Sequence, residues 1–271
     1  MLDSMQLVTF KEGNIAYSEK GKGRAIIFLH GFMESQEIWK YYAIALSVRY
    51  RVVCIDLPGH GSSDCFGYVH SMELMAEAVN AVMEHLLLRK VFVVGHSMGG
   101  YAGLALAEKY PDKIKGLCLF HSTAAADSIE RKMNRDRALA LVKQNHKKFI
   151  NSIIPLWFAE ENRSYYDKEI QTLKNIALKT PKQGIIAAIE GMKIRIDREM
   201  ILKFSSFYLF YIIGKKDETI PYETIKTQTT LPNDCEYLIL ENAGHMGFIE
   251  AKEQCLKVIK KFAAKTFRKK K

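Results

Sequence analysis

Cysteine is scarce in this chain of 271 residues, with five scattered positions: Cys54, Cys65, Cys118, Cys235 and Cys255. The number is odd and no C-x-x-C pair occurs, which suits reduced thiols better than a disulfide framework or a metal site. Reduced thiols in a cytoplasm are the expectation. Long apolar runs are missing too: no stretch approaches the roughly 20 residues that a membrane-spanning helix needs. The opening Met1-Leu2-Asp3-Ser4 has no basic region followed by an apolar run, so no secretory signal is expected. Asn162-Arg163-Ser164 fits a glycosylation sequon, but without a secretory route it is a coincidence. Repeats and low-complexity segments are also lacking.

Acidic residues are in deficit, 30 against 40 basic ones, for a net charge of +10. Part of the excess sits at the end, at Lys257, Lys260, Lys261, Lys265 and Arg268-Lys269-Lys270-Lys271. A nucleic-acid binder would interleave its basic face with exposed aromatics or carry a known reader motif. Neither is found, and the tail reads as the solvated end of a last helix.

Buried strands and helices alternate over the first half. Gln6–Phe10 and Ile15–Ser18 read as an opening hairpin. Ala25–Leu29, Val52–Ile55, Val91–Val94 and Lys115–Phe120 are apolar runs of strand length. Helical spacing falls between them, at 36–48, 72–88 and 101–109. This alternation calls for an eight-stranded, mainly parallel sheet with helices on both faces, where ligands meet the carboxyl ends of the strands.

The pattern then changes. Residues 123–204 hold helical stretches at 129–144, 147–154, 168–178 and 183–193, punctuated by Pro155 and Pro181. They read as a helical cap inserted after the sixth strand, with 1–122 and 205–271 forming the core. Met133, Trp157, Phe158, Tyr165, Tyr166 and Met192 are candidates for a pocket wall, though ordinary packing within the cap accounts for most of them. Strands resume at Phe207–Ile213 and Glu236–Leu240, and a closing helix covers 252–265.

One stretch carries chemistry. Gly95-His96-Ser97-Met98-Gly99-Gly100 joins a buried strand to a helix. A serine at so sharp a turn stands at a strand tip beside a helix N-terminus. Side chains two positions away would crowd the turn, and Gly95 and Gly99 remove them.

Further pieces fall in order along the chain: His30-Gly31-Phe32, the segment Asp56-Leu57-Pro58-Gly59-His60-Gly61-Ser62-Ser63, Gly214-Lys215-Lys216-Asp217, and Ala243-Gly244-His245. With the serine turn, they make nearly the whole chain resemble the α/β-hydrolase superfamily. Within it, the chain is similar to small capped esterases, enol-lactonases and carbon–carbon bond hydrolases. Gly191-Met192-Lys193-Ile194-Arg195-Ile196-Asp197 resembles a cap-to-core segment of lactonase-like members.

The resemblance implies a triad of Ser97, Asp217 and His245, in the chain order serine, acid, histidine. His245 serves as the base, Asp217 orients it, and the N–H groups of Phe32 and Met98 form the oxyanion hole. Asp127 is a fallback acid. His30 and His60 read as structural, and the part played by His121 stays open. Phe32, His96, Trp157 and Met246 are candidate substrate contacts. No cofactor or metal is expected, and the partner is a small ester-like molecule, with the chain a monomer or homodimer. The expected activity is cleavage of a small ester, lactone or thioester through an acyl-enzyme. The same triad also serves carbon–carbon bond hydrolysis, acyl transfer and perhydrolysis, and a ligand-binding protein that kept the fold is a further alternative. A serine in place of aspartate at the turn argues against epoxide or haloalkane chemistry.

Overall fold

The computed structural model describes residues 5–268. The basic tip beyond Arg268 and the first four residues lie outside the described residues. The strands are β1 (Gln6–Phe10), β2 (Gly13–Lys20), β3 (Ala25–Leu29), β4 (Arg51–Ile55), β5 (Val91–His96), β6 (Ile114–Phe120), β7 (Tyr208–Gly214) and β8 (Cys235–Leu240). The helices are α1 (Lys40–Leu46), α2 (Met72–His85), α3 (Met98–Lys109), α4 (Ile129–Ile153), α5 (Asp167–Lys179), α6 (Lys182–Lys193), α7 (Glu199–Phe204), α8 (Tyr222–Gln228), α9 (Gly247–Glu250) and α10 (Lys252–Phe267).

All eight strands join one sheet in the order β1-β2-β4-β3-β5-β6-β7-β8. β2 runs antiparallel to both neighbours, and every other pairing is parallel. β3 and β5 are buried along their whole length, because helices cover both faces of the sheet centre. The crossover β3–β5 puts the loops after these two strands side by side: Leu29 pairs with Gly95. His30-Gly31-Phe32 and Ser97 therefore emerge at one edge.

Between β6 and β7 the described chain is helical. The expected break near residue 145 is present as a kink within α4, where Asn145 leaves helical geometry (φ −157°, ψ 90°). Its side chain accepts from Lys148 N–H at 2.9 Å and so caps the second half. Arg195, in the segment after α6, is buried and donates to Asp127 at 2.6 Å. Backbone contact also seats this region on the core: His70 N–H donates to the Ala187 carbonyl of α6 at 2.9 Å.

Some short elements escape sequence patterning. The helix expected over 36–48 opens as a 3₁₀ turn at Gln36–Trp39 and ends at Leu46. α7 and α8 are too short to show a period. Among the described residues, no helix is long and apolar enough to cross a membrane.

Candidate active site

Ser97 follows β5 as the residue before α3, with φ 48° and ψ −113°. A side chain in that conformation stores about 1–3 kcal/mol of strain, which the surroundings must hold. Ser97 N–H donates to Phe120 O at 2.9 Å, and Ser122 Oγ donates to Ser97 O at 2.8 Å. The two flanking glycines let backbones close on the turn. A Cβ at Gly95 would stand 2.6 Å from Gly100 N, and one at Gly99 would stand 2.6 Å from His30 O.

Asp217 follows β7, and both its oxygens are engaged. Oδ1 accepts the N–H groups of Thr219 and Ile220 at 2.8 and 2.9 Å. Oδ2 accepts from Nδ1 of His245 at 2.7 Å. That bond puts the proton on Nδ1 and leaves Nε2 of His245 as a base. Burial would raise the Asp217 carboxyl, but His245 and His121 outweigh it and hold the group well below the usual carboxylate range.

His121 is the second imidazole on Oδ2, at 3.2 Å. Burial pushes it down to about 4, so the ring is neutral, and its Nδ1 also lies 3.2 Å from the Gly214 N–H. His121, Asp217 and His245 are close enough together to suggest metal ligands. A tetrahedral zinc site would hold its ligand atoms roughly 3.3 Å apart, given bonds of about 2.0 Å. The 2.7 Å contact is a hydrogen bond instead.

His245 is fixed from behind as well. Its N–H donates to Trp157 O at 2.7 Å. Glu250 accepts from Gly244 N–H at 2.9 Å, from Ala159 N–H at 3.0 Å and from Asn162 at 2.8 Å, tying the histidine loop to the helical region. No hydrogen bond joins Ser97 Oγ to His245 among the described residues, although both side chains line one cavity. Such contacts commonly tighten only when substrate binds.

Next to the serine lies an ion pair that sequence reasoning missed. His96 is fully buried, with Nδ1 3.0 Å from Glu34 and Nε2 3.0 Å from the His245 carbonyl. Both nitrogens face acceptors, which requires an imidazolium. Burial works against that charge, and Glu34 outweighs it and raises the His96 pKa. The Glu34 carboxyl is lowered in turn: burial opposes ionisation, and His96 and the Gly31 N–H overcome it. One pair thus ties together the loop after β3, the serine turn and the histidine loop. Phe32 and Met98 keep backbone N–H groups that no hydrogen bond among the described residues uses.

The cavity, of about 390 Å³, is lined by Ser97, His245 and Phe32 and has a further wall on α4. Arg131 and Arg135 contribute to that wall. Asp127 binds both of them and Arg195 as well, through contacts of 3.3, 2.7 and 2.6 Å. The Arg195 guanidinium also lies 4.1 Å over the Tyr101 ring, which lines the cavity.

A family model described as alpha/beta hydrolase fold matches residues 24–144. A solved structure of a thermophilic esterase from Thermogutta terrifontis, bound to malate, superposes with a TM-score of 0.92. It is 28% identical, and the match covers 98% of this chain and 100% of that one. The chain has the α/β-hydrolase fold.

The chain is also similar to curated proteins. The pimeloyl-[acyl-carrier protein] methyl ester esterase of Aeromonas hydrophila is 25% identical over 262 residues, 92% of this chain and 99% of that protein. The dihydrolipoyllysine-residue acetyltransferase component of the acetoin cleaving system of Pseudomonas putida is 27% identical over 236 residues. The match takes in 86% of this chain but only 61% of that longer protein.

The hydrolase fold brings several expected residues to the cavity: Ser97, His245, Phe32, His96, Trp157, Met246 and Met192. His96 has both ring nitrogens engaged, so it offers a substrate only carbon edges. Other expectations fall elsewhere. Met133 and Tyr165 are exposed, while Phe158 packs on Tyr166 inside the helical region. Asp127 binds arginines, not an imidazole. His30 and His60 are buried beside each other, as structural histidines. His30 accepts Leu57 N–H at 2.9 Å and holds the loop after β4.

Arg131, Arg135 and Glu34 went unread. Asp127, Arg131 and Arg135 recur every four residues, a spacing that places them on one helical side and could have flagged them. Glu34 left no signal, since its partner is 62 positions away.

Proposed function

We propose that this hydrolase cleaves a small carboxylic ester, lactone or thioester through an acyl-enzyme on Ser97. The 2.7 Å bond between His245 Nδ1 and the buried Asp217 carboxylate carries this reading. It supports a neutral imidazole whose Nε2 takes the Ser97 proton as Oγ attacks the ester carbon. The carbonyl oxygen becomes an oxyanion, met by the N–H groups of Met98 and Phe32; each such donor lowers the barrier by roughly 3 kcal/mol. His245 then returns the proton to the leaving alcohol. Water, deprotonated by the same nitrogen, attacks the acyl carbon and frees the acid and the serine.

In this reading residues 123–204 act as a cap that selects the substrate, over a core of 1–122 and 205–271. Free thiols at all five cysteines support a cytoplasmic setting.

The test is a chain-length series of p-nitrophenyl esters run beside lactones and carbon–carbon substrates, with Ser97→Ala as control. Saponification-type turnover of esters or lactones that vanishes in Ser97→Ala is expected. Turnover confined to carbon–carbon substrates, or undiminished in Ser97→Ala, overturns the proposal.

A further inference from the structure

The α4 wall of the cavity is more basic than its structural duties need. Three guanidiniums, from Arg131, Arg135 and Arg195, share the single carboxylate of Asp127. Arg195 is buried, and both its terminal nitrogens are spent on structure: it donates to Asp127 at 2.6 Å, Met192 O at 3.1 Å and Ala125 O at 3.0 Å, and it stacks on Tyr101, with Nε alone left without a partner. It accounts for the Asp127 charge.

Arg131 and Arg135 are then surplus, and both face the cavity. Arg131 spends Nε on Asp127 and Nη1 on Thr219 O at 2.6 Å. Arg135 spends only Nε, on Asp127 at 2.7 Å. Among the described residues, no hydrogen bond uses Nη1 or Nη2 of Arg135, nor Nη2 of Arg131. The N–H fork of Arg135 is therefore held in place by its Nε bond with its outer prongs unspent. Two other carboxylates line the cavity. Glu34 is neutralised by His96, and Glu218 is exposed to water at the rim.

Resting on the ester-cleavage reading, we propose that Arg135 and Arg131 form a carboxylate subsite, and that the substrates are monoesters or lactones bearing a free carboxylate at the end remote from the scissile bond. A planar guanidinium pairs with a carboxylate through two parallel N–H bonds, which a lysine cannot copy. The cavity, at about 390 Å³, has room for a short acyl chain between the serine and this wall. The apolar side chains of Phe149, Ile153 and Met192 line the same space. A substrate with a carbonyl at one end, methylenes between and a carboxylate at the other matches these three kinds of surface.

The experiment compares monomethyl esters of succinic, glutaric, adipic and pimelic acids with methyl esters of the matching monocarboxylic acids. The readout is the ratio of kcat/KM, anionic over neutral. Wild type is expected to favour at least one anionic ester by roughly tenfold or more, as charged hydrogen bonds of this kind provide. In Arg135→Gln and Arg131→Gln the ratio falls towards one, mainly through KM. Arg135→Lys recovers only part of it. Arg137→Gln, an equal loss of charge on an exposed position of α4, keeps the wild-type ratio. Calorimetry with adipate alone reads the subsite without turnover: binding is expected to weaken about tenfold in Arg135→Gln.

A wild-type ratio near one, or a ratio and adipate affinity unchanged in Arg135→Gln, overturns the subsite while leaving ester cleavage standing. Absence of turnover on every ester, with adipate still bound through Arg135, sinks the cleavage reading and spares the subsite.

Discussion

The two ends of the cavity are built on opposite principles. The end at the strand tips is set by backbone: a left-handed serine, glycines that admit close carbonyls, and N–H groups aimed by a helix start. Its carboxylates are buried and held by imidazoles, Glu34 by His96 and Asp217 by His245 and His121. The end on α4 is set by long side chains on one helix, with three cations around one anion and part of the cluster open to water. The first arrangement fixes reacting atoms and tolerates no choice. The second offers unspent donors, most of all on Arg135, which makes no bond to the loop that holds Asp217.

The largest effect is expected at the strand-tip end. Ser97→Ala should lower kcat by roughly 10⁵-fold with little change in thermal stability, since a hydroxyl used by no hydrogen bond is removed. A variant within tenfold of wild type on the same ester would place the chemistry elsewhere. Asp217→Asn follows, at roughly 10³- to 10⁴-fold in kcat, because the amide favours the wrong imidazole tautomer. Steady-state rates on a p-nitrophenyl ester measure both.

How far the sequence revealed each end follows from the same contrast. The glycines around Ser97, the residues after each strand and their order along the chain are local constraints, so they show as short motifs. The triad candidates could thus be named before any coordinates. Glu34 and Arg195 act through partners distant in sequence, His96 at 62 positions and Asp127 at 68. Nothing local distinguishes a buried Arg195 from the other basic residues of a chain with net charge +10. Tyr165 and Met133 misled for the reverse reason: they have pocket-like chemistry but face solvent.

A smaller effect separates stability at the two ends. Asp127→Asn leaves three guanidiniums around a neutral amide and should cost about 2–3 kcal/mol of unfolding free energy, measured by urea denaturation. Kinetically it should raise KM more than it lowers kcat. A larger fall in kcat than rise in KM would mean that the α4 wall also sets the reacting geometry.

A test of similar size, needing no substitution, is pH. His121 titrates near 4 in the folded chain against an ordinary value of 6.5, so the unfolded chain binds its proton first as pH falls. Stability therefore declines from pH 6.5 to 4, by about 3 kcal/mol from this residue. His96 acts in the other direction. Its raised value gives stability that is complete below 6.5 and lost as pH climbs through the folded value. Tm should accordingly peak near pH 6.5 and fall on both sides. A flat Tm from 4.5 to 8 would show that the strand-tip histidines are not held as described.

The most direct measurement is the covalent intermediate itself. The protein is mixed with an excess of p-nitrophenyl ester, quenched in acid within the first turnovers, digested and read by mass spectrometry. The account predicts an added acyl mass on the peptide that contains Ser97, and none in Ser97→Ala. Turnover with that peptide unmodified and an acyl group on another residue would contradict it.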